Sequence, residues 1–224
     1  LGRGDLLIVD LSDWSGLPKL LRARRCIPGA VHLDPAGIMA SQPPAMGLVP
    51  GERQHGEVLS ALELTPDSHV VAYDNAGNAK ACRFLWTLDL LGHRSFSLLN
   101  GGLGAWLEGG APTEKRFAQP PTSNYEATFR AEPIARTAYV LAHLNDPGIV
   151  ILDSRSQAEF ADGHIPDAVN LDWSLAADGA RNICLRPDAD LHEMLSARGV
   201  TPDKEIITYC AIHLRSAHTY IVLK

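Results

Sequence analysis

The chain contains an internal repeat, and this repeat constrains the fold more than any other feature of the sequence. Residues 27–34 read IPGAVHLD and residues 165–172 read IPDAVNLD, so six of eight positions are identical. Self-similarity of this kind indicates duplicated structural units. Two shorter echoes keep the same order, and they pair residues 8–10 with 151–153 and residues 70–74 with 206–210. The 224 residues are therefore predicted to form two homologous domains.

The segment between the repeats has the character of a linker. Residues 111–133 contain four prolines and follow neither a helical nor an alternating period. Proline-rich sequence without periodicity is typical of interdomain connections. We therefore predict a first domain at residues 1–110 and a second domain at residues 134–224.

Short apolar runs alternate with helical segments in both repeats. The runs lie at residues 6–9, 70–73, 149–152 and 205–209, whereas residues 80–91 have a helical period. Continuous apolar strands of this length are typical of parallel sheets that are covered on both faces. The predicted fold class is α/β, with a parallel β-sheet flanked by helices in each domain.

Each repeat lacks a segment that the other contains. The second repeat has a helical segment at residues 137–145 before its first strand, whereas only five residues precede the strand of the first repeat. The first repeat continues after Asp74 through a helix, a short strand and the NGG sequence of residues 100–102. The second repeat ends fourteen residues after Cys210. We expect an N-terminal helix to be missing from the first domain and the C-terminal part to be missing from the second.

The composition excludes several classes of protein. With 46% hydrophobic residues and a net charge of −6, the chain has material for a core but no overall positive field, so we expect neither nucleic acid nor membrane as a partner. No run approaches the roughly 18 apolar residues of a membrane-spanning helix. The cysteines form no CxxC pair, which argues against a disulfide framework and structural zinc and favours the cytoplasm. We also expect a monomer. The four cysteines are Cys26, Cys82, Cys184 and Cys210.

The two aligned loops differ at one position that matters for chemistry. Asp74 follows the strand in the first repeat, whereas Cys210 follows it in the second. A loop from the C-terminal end of a parallel strand into a helix binds ligands in many α/β proteins, and its N–H groups attract anions. With Arg215 nearby, this setting favours the thiolate form of a cysteine. We therefore predict Cys210 and Arg215 as catalytic residues. The predicted substrate-binding residues are Ala211, Ile212, His213, Leu214 and Ser216.

These motifs resemble the tandem-domain rhodanese family of sulfurtransferases over nearly the whole chain. Residues 153–170, with DSR, EF and GHIP, look like the signature near the start of each domain. Residues 210–216 look like the active-site loop, and residues 100–106 look like the motif that ends a domain. The resemblance implies two rhodanese-like domains, of which the first is inactive because Asp74 replaces the cysteine.

The resemblance also implies a mechanism. The Cys210 thiolate takes the sulfane sulfur of thiosulfate as a persulfide and passes it to cyanide or a thiol, which is covalent catalysis in two displacements. The loop N–H groups and Arg215 would stabilise the anionic sulfur. No metal or organic cofactor is expected, and the partners are a small-molecule sulfur donor and acceptor.

Three alternatives stay open beside this function. A related phosphatase class carries five residues between the cysteine and the arginine, whereas this loop carries four, a ring that suits sulfur better than phosphate. The loop matches neither the doubly cationic thiosulfate type nor the Gly-rich 3-mercaptopyruvate type. His213 stands where bacterial thiosulfate loops carry a histidine, so we expect thiosulfate, with 3-mercaptopyruvate as the alternative. A catalytically silent binding module is the third.

Other conspicuous residues are given structural roles. Arg155 and Glu159, four positions apart, are predicted to form an ion pair, and Trp173 to pack in the core or at an interface. Cys26 and Cys82 are expected to be packing residues. The basic residues expected at the solvated surface are Arg22, Arg24, Arg25, Arg181 and Arg186.

Overall fold

A computed structural model describes residues 6–14, 25–130, 133–179 and 183–224. Three sequence predictions lie outside these residues. The first is the absence of a helix before the first strand, at residues 1–5. The second is the surface position of Arg22 and Arg24, and the third is the surface position of Arg181.

Each domain combines short strands with helices, as the repeat predicts. The first contains β1 (Leu6–Asp10), β2 (Val31–His32), β3 (Ala40–Gln42), β4 (Ala45–Leu48), α1 (Glu52–Ala61), β5 (His69–Tyr73), α2 (Ala79–Leu90), β6 (Phe96–Leu98) and α3 (Gly102–Glu108). The second contains α4 (Thr137–Ala142), β7 (Ile149–Asp153), α5 (Gln157–Asp162), β8 (Val169–Asn170), β9 (Ala177–Asp178), β10 (Cys184–Leu185), α6 (Asp188–Ser196), β11 (Glu205–Tyr209) and α7 (Arg215–Leu223). Short 3₁₀ helices lie at Pro35–Ile38 and Trp173–Ala176.

Both main sheets are parallel, which confirms the predicted α/β class. In the first domain the strand order is β2-β1-β5-β6, and in the second it is β8-β7-β11. The second order repeats the first three strands of the first. Small antiparallel pairs, β3 with β4 and β9 with β10, lie outside these sheets.

The duplication extends to individual hydrogen bonds. The Tyr73 hydroxyl accepts the N–H of Ile27 at 3.1 Å, and the Tyr209 hydroxyl accepts the N–H of Ile165 at 3.2 Å. In each pair, the tyrosine ends a parallel strand and the isoleucine begins the repeated IP motif. The two copies therefore place their strand ends and motif loops in the same way.

The first domain has the larger core. Its central strands are buried because apolar residues occupy both of their faces. Its fully buried side chains include Val9, Leu11, Ile38, Leu59, Val70, Phe84, Leu85 and Leu88. The second core is smaller and contains Val150, Leu152, Leu171, Leu195 and Val200.

The predicted linker is bound along the first domain. No helix or strand is assigned within residues 111–130 apart from an isolated bridge between Cys26 and Glu114. Its N–H groups reach three elements of the first domain, as in the bond from Arg130 to the carbonyl of Leu90 at 2.8 Å. The rings of Tyr125 and Phe129 pack against the first core. The chain between the domains therefore acts as a strap, and the exact domain boundaries stay a prediction.

Helices α2 and α7 join the two domains. Nine of the twelve residues of α2 are buried, since one side covers the sheet and another packs against α7. The buried carboxylate of Asp89 on α2 accepts a hydrogen bond from the Tyr220 hydroxyl of α7 and forms ion pairs with Arg94 and Lys224. This contact holds the helix that follows Cys210 against the first domain.

None of the helices within the described residues is both long enough and apolar enough to cross a membrane.

Candidate active site

Cys210 lies between the end of β11 and the start of α7. The residue is only 9% exposed, and its Sγ accepts the backbone N–H of Ser216 at 3.4 Å. The Ser216 hydroxyl lies 3.5 Å from the same sulfur. Because Ser216 belongs to the first turn of α7, the sulfur faces the positive end of a helix. The fold therefore places the predicted nucleophile where an anionic sulfur is stabilised.

The loop around the sulfur is formed by the predicted substrate-binding residues. Ala211, Ile212 and His213 are exposed, Leu214 is half-buried, and Ser216 is buried. His213 has a φ of 59°, a left-handed conformation that is uncommon for a residue with a side chain. This conformation turns the four intervening residues into a tight ring before α7 begins at Arg215.

The corresponding loop of the first domain holds a carboxylate. Asp74 is 1% exposed and accepts hydrogen bonds from four backbone N–H groups. The donors are Ala76, Asn78, Lys80 and Ala81, at 2.7, 2.8, 3.0 and 3.2 Å. A loop of this type therefore directs its N–H groups at an anion, and the second domain has a thiol at the matching point.

Arg215 is held by a carboxylate from another part of the second domain. Its Nη1 and Nη2 donate to Glu159 Oε2 and Oε1 at 2.6 and 2.8 Å. Glu159 also completes a capping box with Ser156 at the start of α5. The hydrogen bonds from Arg215 hold the pKa of Glu159 well below its usual range, and the same bonds raise the pKa of Arg215. The guanidinium is thereby fixed.

The predicted ion pair between Arg155 and Glu159 is wrong. Arg155 instead pairs with Asp153, with Nη2 2.6 Å from Oδ2, and it also donates to the Gly163 carbonyl at 2.7 Å. The spacing of four residues applies only within a helix, and α5 begins at Gln157, after Arg155. Glu159 is consequently free to reach Arg215.

A residue of the first domain also faces the catalytic loop. Arg83 on α2 is 1% exposed. Its positive charge lowers the pKa of His213, and the charge of Cys210 raises the pKa of Arg83 against the larger effect of burial. Sequence reasoning missed it because its position depends on the packing of the two domains. The available signal was an arginine inside the otherwise apolar helical run of residues 81–86.

His213 is neutral at physiological pH. Its pKa is lowered, first by burial and then by the positive charge of Arg83. The residue is nevertheless reached by solvent. A neutral imidazole there can offer a hydrogen bond to a donor anion but no full charge.

Trp173 lies at the interface between the domains, as predicted. Its ring meets the His218 ring edge to face with centroids 5.1 Å apart. On the first-domain side, a Cβ at Gly77 would lie 3.1 Å from the tryptophan ring. This contact leaves no room for a side chain at Gly77.

Cys26, Cys82 and Arg186 have the structural roles predicted for them. Cys26 and Cys82 are fully buried, and the Cys26 thiol contacts the carbonyls of Glu114 and Arg116. Arg186 is exposed and donates to the Leu175 carbonyl. Among the described residues, no three His, Cys, Asp or Glu side chains cluster as a metal site would require.

Comparison with known proteins identifies relatives over the whole chain. Residues 1–109 and 137–224 each match the family described as rhodanese-like domain. A thiosulfate sulfurtransferase from Pseudomonas aeruginosa is 35% identical and covers 100% of this chain and 83% of its own length. One from Azotobacter vinelandii is 36% identical, with the same coverage. The crystal structure of the 3-mercaptopyruvate sulfotransferase SseA from Escherichia coli is 25% identical with a TM-score of 0.86, over 98% of this chain and 87% of that chain.

Proposed function

Because this chain belongs to the rhodanese family, we propose that it is a thiosulfate sulfurtransferase that carries the transferred sulfur on Cys210. The observation that carries the assignment is the pair of matching loops. One directs four N–H groups at the Asp74 carboxylate, and the other presents a buried thiol at the same point.

The reaction proceeds by two displacements. The Cys210 thiolate attacks the outer sulfur of thiosulfate, the sulfur–sulfur bond of the donor breaks, and its electron pair leaves with sulfite. The enzyme then holds an anionic persulfide. Cyanide or a thiolate attacks the outer sulfur, and the released pair restores the Cys210 thiolate. This is covalent catalysis with ping-pong kinetics, and it calls for no metal or organic cofactor.

The loop residues have separate roles in this scheme. The N–H groups of residues 211–216 and the positive end of α7 stabilise the persulfide, as the first-domain loop does for its carboxylate. The Ser216 N–H already contacts the sulfur. Arg215 adds positive charge near the sulfur, and its ion pair with Glu159 fixes the loop.

The proposed setting is the cytoplasm, with the protein as a monomer and with small molecules as donor and acceptor. All four cysteines are free, which suits a reducing compartment. The net charge of −6 opposes binding to nucleic acid or to anionic lipid.

Intact mass spectrometry tests the persulfide. The chain is measured before and after thiosulfate and again after cyanide, with Cys210→Ser in parallel and Cys184→Ser as a control at a cysteine outside the site. We expect a gain of about 32 Da with thiosulfate that cyanide removes, present in Cys184→Ser and absent from Cys210→Ser. Thiosulfate turnover by Cys210→Ser would refute the assignment.

The alternative donor is 3-mercaptopyruvate, which the similarity to SseA favours. An adduct that forms with 3-mercaptopyruvate but not with thiosulfate would keep the mechanism and change the donor. Failure with both donors would favour the silent binding module.

A further inference from the structure

Arg83 is a buried cation whose charge its neighbours compensate only in part. Among the described residues, no carboxylate lies within ion-pair distance of its guanidinium. Nη2 donates to the Leu48 carbonyl at 3.2 Å, the group stacks on Trp86 at 4.8 Å, and Nε is buried without a hydrogen-bond partner. Burial of an unpaired charge costs several kcal/mol unless another group compensates it. A functional role for the charge of Arg83 would account for this cost.

Arg83 is connected to the catalytic loop through the β3–β4 hairpin. Leu48, which accepts its hydrogen bond, ends strand β4, and the preceding residue, Gly47, lies against the backbone of Ile212. A Cβ at Gly47 would lie only 2.2 Å from the Ile212 carbonyl oxygen. The β3–β4 hairpin thus holds the guanidinium on one side and touches the Cys210 loop on the other.

Arg215 is the other cation beside Cys210, and its charge is shared with a carboxylate. It is ion-paired with Glu159, while the charge of Cys210 also raises the pKa of Arg215. His213 is neutral, and burial lowers the pKa of His218 to about 4. Burial also lowers the pKa of Arg83 to about 10, with the charge of Cys210 acting in the opposite direction, so Arg83 stays protonated at neutral pH.

We propose that Arg83, from the domain that lacks the cysteine, is a positioning residue for sulfur transfer whose buried charge stabilises anionic sulfur on Cys210 and draws anionic reagents to it. The proposal rests on the proposed function, in which Cys210 cycles between a thiolate and a persulfide. The anion formed on Cys210 is then the compensating charge that Arg83 otherwise lacks. The first domain contributes to the active site although it carries no nucleophile.

A comparison of two alkylating reagents tests the charge at the sulfur. Iodoacetamide is neutral and iodoacetate is an anion, but both react by attack of the thiolate on carbon with loss of iodide. Any change in thiolate fraction or access affects both rates, whereas a change in local potential alters their ratio. The Cys184→Ser background removes the half-exposed cysteine, and peptide mass spectrometry locates the label on Cys210.

The test variants are Arg83→Met and Arg83→Lys, with Arg53→Met as the matched control. Replacing Arg53 by methionine makes the same change in net charge. Arg53 lies in the same domain, but its side chain is 87% exposed. We expect the iodoacetate-to-iodoacetamide ratio to fall about threefold or more in Arg83→Met, because a nearby charge acts strongly in a poorly solvated site. The ratio in Arg83→Lys stays closer to the native value, and Arg53→Met leaves it unchanged.

A native ratio in Arg83→Met would overturn the proposal, even if both absolute rates fell together as a structural role predicts. Arg83→Gln keeps a donor for the Leu48 carbonyl and serves as the second neutral variant if Arg83→Met does not fold. The assay uses no sulfur donor, so its outcome is independent of whether thiosulfate is the substrate.

Discussion

At the residue scale, the site depends on how each charge is compensated. The Asp74 carboxylate is satisfied by backbone N–H groups, whereas the Arg215 guanidinium is satisfied by Glu159. Burying a charge costs free energy unless such partners compensate it. Two corresponding loops thus have different chemistry, because a carboxylate occupies one cradle permanently and a thiol leaves the other available.

Glu159→Gln is the residue-scale prediction. Glutamine cannot ion-pair with Arg215, so the loop loses its anchor, and we expect the rate of persulfide formation to fall about tenfold. Stopped-flow measurement with thiosulfate gives this rate. Glu57→Gln is the control, since Glu57 forms only an exposed pair with Arg53. An unchanged rate in Glu159→Gln would remove the ion pair from the positioning of the loop.

The same variant changes the pH dependence of stability. The pKa of Glu159 is depressed in the folded protein by Arg215. Stability from the pair is therefore fully present above the ordinary glutamate pKa of 4.5 and is lost as the pH falls through the lower folded value. We expect native protein to exceed Glu159→Gln in urea stability at pH 7, with a difference that shrinks below about pH 4.5. A difference in urea stability that increases as the pH falls would contradict this linkage.

At the element scale, the β3–β4 hairpin connects the domains beside the active site. This hairpin has no strand partner in the main sheet, yet its glycine lies against the Ile212 backbone and its last residue binds Arg83. The hairpin therefore matters through its contacts with Ile212 and Arg83. Gly47 is required there because the backbone has a φ of 70° and the neighbouring carbonyl leaves no space for a Cβ.

Gly47→Ala tests this contact, with Gly29→Ala as its control. Both glycines have positive φ, at 70° and 76°, but a Cβ at Gly29 would meet nothing within 4 Å. Each variant should lose about 1–2 kcal/mol of unfolding free energy from backbone strain. Only Gly47→Ala must also displace the catalytic loop, so its thiosulfate turnover should fall well beyond that of Gly29→Ala. Equal activities would show that the hairpin does not constrain the loop.

At the scale of the whole molecule, the two domains form one active unit. The α2–α7 contact, the contact of Trp173 with Gly77 and that of Ile212 with Gly47 all join the second domain to a domain whose aligned loop lacks the cysteine. Burial alone would raise the pKa of Asp89, but hydrogen bonds from Lys224 and Tyr220 outweigh it and lower that pKa. The second helix is thus tied to the first domain through an ionised carboxylate.

Tyr220→Phe tests the tie between the domains. It removes a hydrogen bond to the buried Asp89 carboxylate and should lower the unfolding free energy by about 1–3 kcal/mol. Urea denaturation followed by tryptophan fluorescence measures the loss. Tyr139→Phe removes a similar bond, to Glu205, at an exposed position and should cost less. A larger loss in Tyr139→Phe would argue against Asp89 as the stronger anchor.

The sequence by itself determined the two domains, their parallel strands and the cysteine loop, because these depend on local patterns of apolar residues, prolines and motif spacing. The strand at residues 205–209 and the nucleophile after it follow from a few adjacent positions. Only the tertiary structure decided that Glu159 binds Arg215 and that Arg83 binds the hairpin that touches the Cys210 loop. These partners lie 56 and more than 100 positions apart, and their meeting depends on how helices pack across the sheets and between the domains. Periodicity records which face of an element is buried, whereas the choice of partner for a charge belongs to the packed molecule.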